Sequence, residues 1–246
     1  KPLEYYFNNL NSLMNVLTCM REFKVPNLVF SSSCTVYGQA DVLPVTEKTP
    51  RHEAESPYGN TKVMSEDIIR DLMRVEPDMK ALALRYFNPI GAHPTAFIGE
   101  LPNGVPNNLI PYLTQTAIGI REQLSVFGDD YNTPDGSPLR DYIDVVDLAQ
   151  AHVVAIRRLL DGKNKKNYEF FNIGTGKALS VLEIIHAFER STGVKVNYKV
   201  VGRRAGDIEK VWADTTLANN ELGWKAVTPI EETLANAWKW QKALDK

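Results

Sequence analysis

The sequence predicts an α/β protein organised around a doubly wound parallel sheet, and three observations carry that prediction. Stretches with apolar residues at helical spacing alternate with short, unbroken apolar runs, the pattern of parallel strands buried on both faces. Two of these runs are Asn27-Leu28-Val29-Phe30, which ends in Ser31-Ser32-Ser33, and Ala81-Leu82-Ala83-Leu84-Arg85-Tyr86, which is followed by Phe87-Asn88-Pro89. Their order, helix then strand then helix then strand, is the beat of a doubly wound sheet, whose ligands bind beyond the carboxyl ends of the strands.

Taken in order, Leu10, Leu13, Met14, Leu17 and Met20 set the apolar stripe of a first helix, entered within a few residues of Lys1. The first strand follows at Asn27. A loop rich in Pro and Thr leads to a helix from about Pro57 to Arg74, which stops before Pro77 because proline cannot continue it. The second strand covers Ala81–Tyr86. From Gly91 to Arg140 the rhythm breaks into Gly- and Pro-rich loops around one helix near Pro111 to Arg121, a change suited to covering a site. A helical pattern is expected from Tyr142 to Leu160, and a strand over Tyr168–Asn172. Ser180-Val181-Leu182-Glu183 and Thr228-Pro229-Ile230-Glu231 have the capping-box spacing and open the last two helices.

Composition narrows the functional classes. Apolar residues at 43% and charged residues at 24% exclude a disordered chain. A formal net charge of −2 offers no electrostatic reason to bind nucleic acid or an anionic membrane. No run of ~18 apolar residues suggests a membrane span. Two cysteines, Cys19 and Cys34, make no disulfide framework and point to a reducing cytoplasm. His52, His93, His152 and His186 are scattered, and no Cys or His cluster implies a metal.

The sharpest chemical signal is Tyr58-Gly59-Asn60-Thr61-Lys62. Residues i and i+4 of a helix share one face, so phenol and amine can address one pocket. A free tyrosine titrates near ~10 and is a poor base at neutral pH; a neighbouring ammonium favours the phenolate. That is what proton removal from a sugar hydroxyl requires when hydride leaves the same carbon. By itself this spacing describes many surface helices, and three serines after a strand are ordinary turn chemistry. A serine there can also hydrogen-bond the same hydroxyl and relay its proton.

Ser31-Ser32-Ser33-Cys34-Thr35-Val36-Tyr37-Gly38, Ser56-Pro57-Tyr58-Gly59 and the run Leu84 to Pro94 together resemble the UDP-galactose 4-epimerases, members of the extended short-chain dehydrogenase/reductase family. Val105-Pro106-Asn107-Asn108-Leu109, Val126-Phe127-Gly128-Asp129-Asp130-Tyr131, Arg140-Asp141-Tyr142-Ile143, Arg203-Arg204-Ala205-Gly206-Asp207 and Trp238-Lys239-Trp240 continue the likeness in order along nearly the whole chain. The resemblance implies a Rossmann-type NAD-binding domain over residues 1–89, with 141–174 returning to it. A smaller α/β domain for the UDP-sugar is implied over 90–140 and 175–246. It further implies tightly bound NAD, a UDP-hexose substrate and a homodimer.

Carried over residue by residue, the resemblance makes Tyr58 the general base and acid and Lys62 its pKa-lowering partner and a ribose contact. Ser33 becomes the hydroxyl that helps move the proton. Asn8 corresponds to a cofactor contact and Phe87 to a neighbour of the nicotinamide. Asn88, Asn108 and Leu109 correspond to residues that hold the nucleotide sugar, and Phe127 to the strand lining the uracil. Arg140 and Arg204 correspond to the pair on the diphosphate, which two guanidinium forks suit, and Asp207 to a contact of the uridine ribose. Where some epimerases carry tyrosine, this chain has Val211. If it lines the sugar pocket, the smaller side chain leaves room for N-acetylated hexoses. The Gly-rich βα unit for the cofactor pyrophosphate is expected before Lys1, with roughly the first quarter of a full protein. Without it the sheet would keep a raw edge, and the chain would not be expected to fold alone as a stable, active monomer.

Two motifs are set aside. Gly174-Thr175-Gly176 sits between strand and helix like a dinucleotide phosphate loop, yet Leu179 stands where close helix packing wants Gly or Ala. Asp129, Asp130, Asn132 and Asp135 form an acidic loop without EF-hand spacing. Rival readings are a nucleotide-sugar dehydratase or decarboxylase, which would need acids that Cys34-Thr35-Val36 do not supply, and a non-catalytic UDP-sugar-binding fragment.

Overall fold

The structure is a computed structural model that describes residues 1–204 and 206–244. In chain order its elements are α1 (Pro2–Glu22), β1 (Asn27–Ser33), α2 (Pro57–Val75), β2 (Lys80–Tyr86), β3 (Asn88–Ile90), α3 (Leu109–Ala117), β4 (Leu124–Phe127) and β5 (Leu139–Arg140). They continue as β6 (Tyr142–Asp144), α4 (Val145–Leu160), β7 (Tyr168–Ile173), β8 (Leu179–Ser180), α5 (Val181–Thr192), β9 (Tyr198–Val201), β10 (Lys210–Val211) and α6 (Ile230–Leu244). The chain divides into two compact units of nearly equal size: Lys1–Phe87, Gln150–Ile173 and Ala213–Lys225 form the first, and Asn88–Ala149, Gly174–Trp212 and Ala226–Lys246 the second.

These bounds differ from those read from the sequence, and the second unit is nearly as large as the first. Residues 141–149 fall with the second unit because β6 pairs in parallel with β3, Asn88 opposite Tyr142. Residues 213–225 fall with the first, where Ala213 bridges to Val45. Tyr142–Asp144, expected as the start of a helix, is a buried strand; Asp144 then accepts the Val146 N–H at 2.7 Å and starts α4 behind it.

In the first unit β1, β2 and β7 form a parallel sheet in that order. Asn27 lies opposite Lys80 and Ser33 opposite Tyr86, while Ala81 lies opposite Tyr168. Helix α2 begins where Ser56 accepts the Gly59 N–H at 3.1 Å, with Pro57 in the first turn, so capping fixes where Tyr58 falls. Leu13, Leu17 and Met20 of α1 close a core with Ile69, Met73, Met79 and Ala81, each large side chain contributing about 1.5–3 kcal/mol of burial. Met14, expected on the same stripe, is exposed.

The second unit packs Ile110 and Leu113, Ile184, Ile185 and Phe188, and Leu234 into one core, with Phe188 edge-on to Trp238 at 5.7 Å. The capping box at α5 is complete, Ser180 and Glu183 bonding each other's backbone N–H. At α6 the box is not made as expected: the Thr228 N–H donates to Asp147 at 2.8 Å. Among the described residues no helix is long and apolar enough to cross a membrane.

Candidate active site

In the first unit, Ser33 ends β1, while Tyr58 and Lys62 lie on one face of α2. The Lys62 amine stands 5.5 Å from the Tyr58 ring centroid and 5.1 Å from that of Phe30. It donates to the Ser31 carbonyl at 2.8 Å. Burial lowers its pKa below the ordinary lysine value. The spacing argument thus places the pair correctly but gets the phenol's direction wrong. Burial pushes Tyr58 up to about 12, and a hydrogen bond with Ser33 offsets only part of this. The desolvation cost of a phenolate exceeds what the amine, held on the Ser31 carbonyl, returns.

Neighbours that sequence reasoning passes over complete this arrangement. Tyr5 of α1 sits edge-on to Tyr58, centroids 6.2 Å apart. The Ser31 hydroxyl is bonded to His152 Nε2 at 3.1 Å. Glu66, one turn beyond Lys62, is fully buried and bonds Ser32; the same i+4 spacing that singles out Lys62 is its signal. Of the expected cofactor contacts, Asn8 is exposed on α1 and its amide meets Asn9 at 3.2 Å. Phe87 is buried just past β2, its N–H given to Ile173 at 3.1 Å.

The second unit holds a cleft in two connecting parts of about 390 and 300 Å³. Asn108, Leu109, Arg204 and Asp207 line both parts; Phe127 closes one, and Asn88 and Arg140 the other. Seven expected substrate contacts therefore converge. Their pairing differs from expectation, since Arg140 gives its Nη2 to Asp207 at 2.5 Å. An anion entering here would share that fork with a carboxylate. Arg203 is spent on Asp130 at 2.6 Å and lies over the Tyr131 ring at 4.1 Å. Ala205, in the same motif, lies outside the described residues. Val211 lines neither part: it pairs with Arg140 across β10 and β5 and is 3% exposed.

The two motifs set aside find structural uses. Asp141 accepts the N–H groups of Thr175 and Gly176 at 2.8 and 3.0 Å, so these amides already hold an internal carboxylate. Asp135 bonds the Ser137 N–H at 2.9 Å and the Ser180 hydroxyl. No group of three His, Cys, Asp or Glu among the described residues is placed to hold a metal ion.

The chain is similar to known proteins along nearly its whole length. The GDP-mannose 4,6 dehydratase family profile matches residues 1–237. The UDP-glucose 4-epimerase of Mus musculus is 49% identical over 242 residues, covering 98% of this chain and 69% of the mouse protein. That of Bacillus subtilis is also 49% identical, over 98% of this chain and 70% of its own. A crystal structure of the Stenotrophomonas maltophila enzyme, with NAD and formylated UDP-arabinopyranose, superposes with a TM-score of 0.95 at 47% identity, covering 99% of this chain and 71% of that one. The Bifidobacterium longum enzyme with NAD+ and UDP gives 0.94 at 44% identity, with the same coverage. The chain spans about 70% of the length of these relatives, its parallel sheet is of the Rossmann type they share, and it belongs to the UDP-glucose 4-epimerase family.

Proposed function

We propose that this chain carries the reversible C4 epimerisation of UDP-galactose and UDP-glucose through a 4-keto sugar, with NAD as the resident cofactor. The observation that carries the reading is the meeting of Ser33, Tyr58 and Lys62 at the carboxyl ends of β1 and β2. Family membership supplies the substrate class. Residues of the first unit fit NAD: Lys62 offers a desolvated amine at the strand ends for the ribose, Asn8 an exposed amide, and Phe87 an apolar neighbour. NAD, when bound, supplies the hydride acceptor and donor.

The chain's own residues handle protons and anchoring. Tyr58 takes the proton of the sugar 4-hydroxyl as C4 becomes a carbonyl, with Ser33 relaying it, and returns it when the sugar is reduced from its other face. Lys62 keeps positive charge beside the phenol. Arg140 and Arg204 hold the diphosphate, Phe127 the uracil, and Asp207 the uridine ribose; Asn88, Asn108 and Leu109 flank the sugar. Anchoring through UDP leaves the ketohexose able to turn. The Cys34-Thr35 turn after β1 has no carboxylate, which argues against dehydratase chemistry.

A coupled assay for UDP-glucose formed from UDP-galactose, run on this chain and on Tyr58→Phe, tests the reading. Turnover lost in the variant supports it; equal turnover in both refutes it. UDP binding without turnover in either would favour a binding fragment. Tolerance of N-acetylated hexoses rests, with Val211 buried away from the cleft, only on likeness to a UDP-Glc/GlcNAc 4-epimerase of Campylobacter jejuni, 33% identical over 99% of this chain with a TM-score of 0.80. Failure to convert UDP-N-acetylglucosamine under conditions that turn over UDP-galactose removes it. A cytoplasmic homodimer completes the reading on the family's precedent.

A further inference from the structure

Three side chains of α2, spaced one turn apart, meet three consecutive serines of β1. Lys62 donates to the Ser31 carbonyl at 2.8 Å and Glu66 accepts the Ser32 hydroxyl at 2.5 Å, while Tyr58 lies beside Ser33. Side chains alternate along a strand, so Ser32 presents its hydroxyl to α2, while that of Ser31 goes to His152 of α4 at 3.1 Å. The Ser31 carbonyl and the Ser32 hydroxyl are thus two separate attachments for α2.

The Glu66 contact differs from the other two. Glu66 is 0% exposed, and its carboxylate also takes Arg85 Nε and Nη2 at 2.8 and 2.6 Å and Arg51 Nη2 at 2.5 Å. With Ser32, that makes four donors for a group with about four acceptor sites. Arg85 extends the network to the Tyr37 hydroxyl at 3.0 Å, which donates to Asn172 at 2.6 Å. One carboxylate therefore ties α2 to β1 and β2 directly and to β7 through Tyr37.

Such a network is a poor source of net stability, because desolvating the charges cancels most of their attraction and apolar residues of similar volume often do as well. It is a good source of registration. The apolar contacts of Ile69 and Met73 tolerate a small slide of the helix, whereas a saturated carboxylate among fixed donors does not. We infer that Glu66, held by Ser32 and Arg85, is a positioning residue that fixes the rotation and height of α2, and so the placement of Lys62 and Tyr58 against the end of β1. The catalytic meaning of that placement rests on the epimerase reading.

The test uses the full chain with Ser32→Ala, which removes one hydroxyl and leaves the Arg85–Glu66 pair, and with Glu66→Gln as the stronger change. Ser32→Thr restores the hydroxyl. Competitive acetic anhydride labelling, followed across pH by mass spectrometry, reports the reactivity of the Lys62 amine in the folded protein, with exposed Lys163 as internal standard. Loosening a contact of hydrogen-bond strength should raise Lys62 reactivity about 2- to 10-fold in Ser32→Ala, further in Glu66→Gln, and not in Ser32→Thr. Unchanged Lys62 labelling in both Ser32→Ala and Glu66→Gln, whatever their melting temperatures, overturns the inference. This readout needs no turnover. A labelling shift in a chain that epimerises nothing would refute the functional reading and leave the positioning role standing; in an active chain, kcat should fall while KM for UDP-galactose holds.

Discussion

Replacing Tyr58 by Phe removes one oxygen, and the structure sets what that should do to stability at high pH. Burial lifts the phenol from 10.0 to about 12. Two pH units correspond to about 2.7 kcal/mol at 1.36 kcal/mol each; because the ring keeps some solvent contact, roughly 1–2 kcal/mol is the better expectation. Below about pH 10 the phenol is protonated in both folded and unfolded chains and contributes no pH dependence. Between about 10 and 12 the unfolded chain releases its proton while the folded chain retains it, so stability falls as pH rises. Guanidinium unfolding of both proteins at about pH 9 and about pH 11.5 should therefore show the wild type losing roughly 1–2 kcal/mol more than Tyr58→Phe over that interval. Other buried tyrosines, such as Tyr37, titrate alike in both proteins and cancel in the difference. Parallel stability curves would refute the burial of this phenol. The same elevation leaves only about one molecule in 10⁵ as phenolate at neutral pH in the protein alone. Loss of the group should nonetheless reduce turnover by about 10²–10⁴-fold, the usual worth of a positioned acid or base.

Arg85→Met leaves the buried Glu66 carboxylate without its bidentate partner and should destabilise the chain by about 3–5 kcal/mol, read as a shift of the urea midpoint; a shift equal to that of a surface arginine would contradict the buried pair. Arg140→Lys replaces a fork with a point charge in the cleft and should weaken UDP binding by about 1.5–3 kcal/mol in calorimetry. Unaltered affinity would remove Arg140 from the diphosphate. Gly38→Ala forces a Cβ to 2.5 Å from the Glu53 carbonyl oxygen at a φ of +60° and should cost about 1–3 kcal/mol in thermal unfolding; an unchanged melting temperature would contradict the turn.

The parts of this molecule that can be read from the chain are those decided by local period and local capping. Pro57 behind Ser56 fixes the start of α2, and the i, i+4 rule then puts Tyr58 and Lys62 on one face. The short apolar run from Ala81, set between helical patterns and soon followed by polar residues, reads as a strand buried on both sides. The misread segments are those where a distant partner decides. Tyr142–Asp144 is absorbed into the period of the helix that follows, although Tyr and Ile favour strands, and its pairing with β3 makes it one. Thr228 has capping-box spacing, but Asp147, far back in the chain, takes its N–H. Val211 sits four residues from Asp207 in sequence, yet its place in β10 opposite Arg140 buries it away from the cleft that Asp207 lines.

Glu66 and Arg85 show a subtler limit. A glutamate on a helix with polar neighbours reads as solvated, and an arginine within an apolar strand reads as an edge residue or a motif letter. Neither reading contains the other residue, because their attraction exists only once α2 lies across β2. The same reasoning explains why spacing misjudges the direction of the Tyr58 shift. Spacing shows that an amine is near a phenol; it does not show how much water the phenol has lost or where the amine's protons are directed. In the fold, one Lys62 proton goes to the Ser31 carbonyl at 2.8 Å and its charge stands 5.5 Å from the ring centroid, while burial acts on the phenol directly. Desolvation wins because it scales with the water removed, whereas the charge is partly answered by a peptide dipole. What sets the pKa of this phenol is therefore its burial where α2 packs as much as the identity of residue 62.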